Sequence, residues 1–304
     1  MKNTLIIATR ESPLALWQAN WVKAELERLY PRCVIQLLGI TTEADHLLSI
    51  PLYKVGGKGL FVKELEEALL SKRADIAVHS MKDVPMELPE GLSLPVMCKR
   101  AEPRDVLVAN HFTSLQEVPL GAVVGTSSLR RQSQLLALRP DVKIAFLRGN
   151  VNTRLDKLDR EDYAAIILAA AGLTRLKKAD RIRAYFSTDE MLPAAGQGVL
   201  GIECCKDDTK TQSLIAPLNH LDSQLCVLAE RSMCRYLGGG CHVPIAAYAE
   251  IMAGDVHLRG LVGSVDGQSI LRASGKANVK EAEALGILVA KKLLEQGAKS
   301  ILNE

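Results

Sequence analysis

Short apolar runs alternate with amphipathic stretches along the first two thirds of the chain, a pattern that predicts repeated β-α units. Thr4–Ala8 reads as a buried strand. Pro13–Tyr30 reads as a helix with proline in its first turn and Leu14, Trp17 and Trp21 on one face. Val34–Leu38, Ile76–His79 and Leu92–Met97 are further strands, and Gly59–Lys72 is a helix with Phe61, Leu65 and Leu69 inward. A second block repeats the scheme. Its strands lie near Val106–Ala109, Ala122–Gly125, Lys143–Leu147 and Ala165–Ala169, and its helices at Ser128–Leu138, Val151–Leu158 and Gly172–Leu176. Val199–Cys204 reads as a strand returning to the first sheet.

The remainder has another character. Leu221–Leu237 predicts a helix with Leu225, Ala229, Met233 and Tyr236 near one face. Alternating strands near Ile245–Ile251, Asp255–Val262 and Ser269–Ala273 follow, and Val279–Gln296 closes the chain as a helix. The fold class expected is therefore α/β with three domains: two α/β domains around a cleft and a smaller C-terminal α+β domain. Residues 1–98 and 199–216 form the first, 104–192 the second and 219–304 the third, with hinges near 99–103 and 193–198. Open α/β sheets bind ligands beyond the carboxyl ends of their strands, so the cleft is where a site is expected.

Composition narrows the function. The 304 residues are 48% hydrophobic and only 4% aromatic, so aliphatic packing must dominate the core. No apolar run approaches the roughly 20 residues of a membrane span. The N-terminal apolar segment is too short for a secretory signal. Seven cysteines without framework spacing predict reduced thiols in a cytoplasm, and no His/Cys cluster has metal-ligand spacing. A net charge of +3 gives no reason to expect nucleic-acid binding. The distribution says more. Between Thr126 and Arg154, six cations (Arg130, Arg131, Arg139, Lys143, Arg148 and Arg154) face a single acid, Asp141. Five are arginine, the residue suited to bidentate carboxylate or phosphate contacts.

Six segments carry candidate chemistry. Gly125-Thr126-Ser127-Ser128-Leu129-Arg130-Arg131 joins a strand to a helix, where free N–H groups, hydroxyls and the helix dipole favour an anion. A plain hydroxyl N-cap accounts for the same residues equally well. Ala8-Thr9-Arg10-Glu11-Ser12-Pro13 and Leu147-Arg148-Gly149-Asn150 with Thr153-Arg154 repeat the layout. His79-Ser80-Met81-Lys82-Asp83 ends a strand with adjacent charges; in a cleft Asp83 can stabilise a developing cation and Lys82 a carboxylate. Lys54-Val55-Gly56-Gly57-Lys58-Gly59 suits either a cationic lid or a surface loop. Finally, Gly238-Gly239-Gly240 precedes Cys241 and His242, which presents a thiol on an open backbone or ends a helix before a core cysteine.

Together, in this order, these segments resemble the porphobilinogen deaminases. The resemblance spans nearly the whole chain and includes Pro193 to Gly198 and Glu230-Arg231 through Pro244. Asn152 departs from the pattern without touching a candidate position. The resemblance implies α/β domains like those of type II periplasmic binding proteins, and a monomer. It implies a dipyrromethane cofactor held by a thioether to Cys241, on which porphobilinogen units are added with loss of ammonia before hydroxymethylbilane is released by water. Asp83 matches the catalytic aspartate, beside the electron-poor azafulvene that ammonia loss leaves. Arg10, Arg130, Arg131, Arg148, Arg154 and Arg175 match carboxylate-binding arginines. Lys54, Lys58 and Lys82 match lysines, and Ser12, Ser80, Thr126, Ser127, Ser128, Gly149 and Gln197 match further cofactor and substrate contacts. An anion-binding sensor without chemistry would also explain the arginines, but not the Gly-Gly-Gly-Cys run or Asp83. A cysteine hydrolase lacks a paired general base.

Overall fold

The structure is a computed structural model, and it describes residues 4–42, 62–239 and 243–302. Phe61, the Lys54–Gly59 segment and Cys241 lie outside the described residues. In chain order the elements are β1 (Thr4–Arg10), α1 (Pro13–Leu29), β2 (Val34–Ile40), α2 (Lys63–Leu70), β3 (Ile76–Ser80) and β4 (Leu92–Met97). Then come β5 (Asp105–Val108), β6 (Val123–Gly125), α3 (Leu129–Leu138), β7 (Lys143–Ala145), α4 (Val151–Asp159), β8 (Ala165–Ala169), α5 (Ala170–Arg175) and β9 (Ile182–Tyr185). The chain continues through β10 (Leu200–Cys205), α6 (Thr209–Ile215), α7 (Leu221–Tyr236), β11 (Ile245–Met252), β12 (Asp255–Gly263), β13 (Ile270–Asn278), α8 (Ala282–Glu295) and α9 (Ala298–Leu302).

The chain packs into two compact units: residues 4–42, 62–101 and 198–224 in one, and 102–197 with 225–302 in the other. The first holds a sheet of order β2-β1-β3-β10-β4. β1 runs parallel to β2 and β3, while β10 is antiparallel to β3 and β4. The second repeats this order as β7-β6-β8-β5-β9, with β5 antiparallel to both neighbours. Each sheet thus receives one reversed strand, β10 or β5, just after the chain passes from the other unit. β10 is the return strand that the sequence predicts. Leu5, Ile7, Val22, Leu26, Ile76 and Val78 build one core layer of the first sheet; Ala8, Leu65, Leu69 and Ala77 build the layer under α2.

The second unit also contains the antiparallel sheet β11-β12-β13, covered by α8. Glu230, fully buried on α7, accepts hydrogen bonds from the backbone N–H groups of Gly196 (2.7 Å) and Ala249 (2.8 Å). One carboxylate therefore ties the 193–198 segment and β11 to that helix.

Several expectations need correction. The buried stripe of α1 is Gln18, Ala19, Val22 and Leu26, not Leu14, Trp17 and Trp21, and Trp21 is 36% exposed. The reason is polar: the Gln18 amide is buried because it donates to Ser80 Oγ (2.8 Å). On α7, Ala229 and Met233 are buried but Tyr236 is exposed. β9 and α6 have no counterpart in the sequence pattern, because a four-residue edge strand interrupted by Arg183 and a helix opening Thr-Lys-Thr carry weak apolar patterns. The closing helix begins at Ala282, after a 3-10 turn at Val279–Glu281. No described helix is long and apolar enough to cross a membrane.

Candidate functional site

In the first unit, candidate residues gather where β1 and β3 end. Ser12 is the N-cap of α1, its Oγ accepting from Ala15 N–H, and Pro13 fills the first turn. Thr9 Oγ1 donates to the Ala15 carbonyl (3.2 Å), which fixes the β1–α1 corner that carries Arg10. β3 delivers Ser80 and then breaks into a 3-10 turn, Met81–Asp83. Met81 is buried and its N–H donates to the Val199 carbonyl (3.0 Å). A Cβ at Gly201 would lie 2.2 Å from Met81 Sδ, so the missing side chain on β10 is what seats this turn. Lys82 and Asp83 are left half-buried at its edge, and the Asp83 carboxylate makes no hydrogen bond to another described residue.

In the second unit, β6, β7 and β8 run parallel, so the segments that follow them share one sheet edge. Thr126, Ser127 and Ser128 follow β6. Ser128 is the N-cap of α3, its Oγ accepting from Arg131 N–H, Thr126 Oγ1 accepts from Ser128 N–H (3.2 Å), and Ser127 Oγ donates to the Leu147 carbonyl. The hydroxyls therefore cap the helix and bind the neighbouring loop, the plainer of the two readings of this segment. Arg148 and Gly149 follow β7. Gly149 has φ +111°, and a Cβ there would meet Thr153 at 2.7 Å. Asn150 caps α4 and Arg154 Nε returns to the Gly149 carbonyl (2.8 Å). Arg175 lies in the last turn of α5, which follows β8.

Arg148 stands apart electrostatically. It is 6% exposed, its Nε has no hydrogen-bond partner, and no carboxylate among the described residues pairs with it. Burial alone pushes its pKa below the ordinary arginine value. Its guanidinium lies 5.8 Å from the Phe146 ring. A buried guanidinium without a counterion is costly, and a bound carboxylate would supply the missing partner.

Arg130 and Arg131 are differently placed. Both are buried against Asp105: Arg130 Nη1 reaches Oδ2 at 2.7 Å, and Arg131 Nη2 and Nε reach Oδ1 at 2.8 and 3.0 Å. Gln197 Nε2 adds a bond to Asp105 Oδ1 (3.0 Å) and another to the Pro103 carbonyl (2.6 Å). Arg130 also donates to the Leu192 carbonyl and Arg131 to that of Ile167. Two cations on one carboxylate leave a net positive cluster. Arg139 is neutralised by Asp141 (2.6 Å). Asp105 escapes the sequence reading because it lies outside the arginine-rich window, and its partners are 25, 26 and 92 positions away.

None of the six described cysteines is in a disulfide, and no described cluster of His, Cys, Asp and Glu could hold a metal. Cys204 is buried, which pushes its thiol up to about 11 and leaves it inert.

Among solved structures, the periplasmic aliphatic sulphonate binding protein SsuA from Escherichia coli is 13% identical, with TM-score 0.43, over 77% of this chain and 70% of that one. A nutrient binding protein from Burkholderia cenocepacia is 12% identical, with TM-score 0.44, over 69% and 90%. The periplasmic VFT2 domain of Bordetella pertussis BvgS is 14% identical, with TM-score 0.42, over 70% and 86%. The family signatures are far more specific. That of "Porphobilinogen deaminase, dipyromethane cofactor binding domain" matches residues 5–213, and that of "Porphobilinogen deaminase, C-terminal domain" matches 224–295. With both signatures matched in order over nearly its whole length, the chain belongs to the porphobilinogen deaminase family.

Proposed function

We propose that this chain joins porphobilinogen units with loss of ammonia at each addition, on a dipyrromethane primer held by a thioether to Cys241, and releases hydroxymethylbilane by hydrolysis. The observation that carries the reading is Arg148, a buried guanidinium just after β7 with no carboxylate partner among the described residues. Its orphaned Nε fits a group rich in acetate and propionate side chains, as dipyrromethane is. When bound, the dipyrromethane supplies the pyrrole carbon from which the product grows.

Each added pyrrole brings two carboxylates, and unpaired carboxylates are costly to take out of water. Arg10, Arg148, Arg154, Arg175, Lys54, Lys58 and Lys82 supply the opposing charge. The Arg130–Asp105–Arg131 cluster adds net positive potential while keeping its own geometry fixed. Ammonia departs as the substrate C–N bond breaks, leaving positive charge on the substrate methylene and ring. The Asp83 carboxylate, held on a seated 3-10 turn and uncommitted among the described residues, stabilises that charge. Cys241 anchors and does not turn over, because its thioether must survive every cycle. The six described cysteines, all unbridged, suit a reducing cytoplasm, where we expect the chain to work as a monomer.

The test is turnover of porphobilinogen by the purified protein and by Asp83→Ala. Removing one preorganised charge-stabilising group costs about 100-fold or more in kcat. The variant is expected to stay folded with turnover reduced at least that far. Near-normal turnover would refute the role. Arg148→Ala and Arg154→Ala should accumulate partly elongated adducts, visible by intact mass, and unchanged turnover and adduct distribution in both would refute the carboxylate-binding reading.

A further inference from the structure

A buried polar cluster lies beneath the turn that carries Asp83, on the face of the first sheet covered by α2. His79 Nε2 and Glu203 Oε2 are 2.8 Å apart and both side chains are buried. Glu66 of α2 is buried beside them. One carboxylate oxygen of each glutamate, Oε1 of Glu66 and Oε1 of Glu203, has no hydrogen-bond partner. None of these residues belongs to the proposed binding set, and burying two carboxyl groups and an imidazole together is expensive unless their protons are shared out correctly.

Their location is specific. His79 is opposite Gly201 in the β3–β10 register, and Glu203 is opposite Ala77. Gly201 is the residue on which Met81 sits, and Val199, at the head of the same strand, accepts from Met81 N–H. The imidazole–carboxylate contact thus clamps β3 to β10 directly behind the Met81–Asp83 turn. We propose that His79 and Glu203 are positioning residues for Asp83, acting through the β3–β10 pairing, and that Glu66 makes this positioning depend on pH.

The surroundings of Glu66 contain few competing charges. β3 contributes His79, and β10 contributes Glu203 and the Cys205 thiol, which donates to the Leu69 carbonyl (3.4 Å). β1 presents Ile6 and Ala8 on this face, with Arg10 at its end, and β4 presents Leu92 and has no titratable residue. Lys63, Glu64 and Glu67 share α2 itself. Burial, then the charge of Glu203, raise the Glu66 carboxyl to about 7, with His79 opposing. A protonated Glu66 gives the cluster a donor in place of a second negative charge. Loss of that proton sets like charges together in a buried space and loosens the clamp.

The inference rests on the proposed reaction and is tested with the holoenzyme turning over porphobilinogen across pH 6–9. Wild-type kcat is expected to fall above about pH 7 while KM stays within twofold. Glu66→Gln, which keeps a donor at every pH, should move that fall upward by at least one unit. Glu203→Gln should lower kcat at least tenfold with KM within twofold and the cofactor mass retained. Superimposable pH profiles for wild type and Glu66→Gln would overturn the inference while leaving the reaction standing, and this comparison decides alone should Glu203→Gln not accumulate as folded protein. A wild-type holoenzyme that consumed no porphobilinogen would overturn both.

Discussion

Asp105→Asn isolates the charge at the heart of the second unit. Asp105 is wholly buried and accepts from Arg130, twice from Arg131, and from Gln197. Asparagine keeps the shape and an acceptor oxygen but removes the negative charge that the two buried guanidinium groups share. Breaking a buried pair by removing one partner costs about 3–5 kcal/mol. The lower end applies here, because the carbonyls of Leu192 and Ile167 still accept from Arg130 and Arg131. A loss near 3 kcal/mol lowers the melting midpoint of a unit of this size by roughly 6–12 °C. Thermal unfolding followed by circular dichroism measures it, with Asp141→Asn as a comparison that breaks a more solvent-exposed pair with Arg139 and should barely move the midpoint. Adding Arg130→Met to Asp105→Asn removes one uncompensated cation and should recover part of the loss. A shift below about 2 °C for Asp105→Asn would refute the claim that this carboxylate holds the arginines in place.

The Glu66 carboxyl titrates near 7 in the folded chain against an ordinary value of 4.5, so between these values the folded state keeps a proton that the unfolded state has lost. Its stabilising contribution is complete below pH 4.5 and falls by about 3 kcal/mol as pH rises through 7. Urea midpoints of Glu66→Gln, relative to wild type, should therefore rise across this window, and a pH-independent difference would contradict the assignment. Gly149→Ala places a Cβ against Thr153 at positive φ and should destabilise by about 1–3 kcal/mol, measured by urea unfolding. An unchanged midpoint would show that the loop relaxes freely.

The residues that the sequence reveals best are those whose roles are local. Ser12, Ser128 and Asn150 cap the helices that follow them, each bonding an N–H three residues on, and three-residue spacing is visible in a string of letters. The β-α alternation is visible for the same reason. Asp105 is not, because its partners lie 25, 26 and 92 positions away and meet it only after β5 enters the second sheet. His79 and Glu203 are separated by 124 positions and join only through the returning strand. The inward face of α1 is misjudged because aromatic residues outweigh a glutamine in any apolar count, while the Gln18–Ser80 bond that buries it is a tertiary contact. Arginine identity is legible from sequence, but which arginines are already paired is not. That distinction separates Arg130 and Arg131 from Arg148.

The central claim is a covalent primer on Cys241, and the intact mass of the purified chain under denaturing conditions tests it most directly, beside Cys241→Ser. The account predicts a wild-type mass above that of the polypeptide by one dipyrromethane unit, and a bare polypeptide mass for the variant. A bare wild-type mass that stays bare after incubation with porphobilinogen would contradict it.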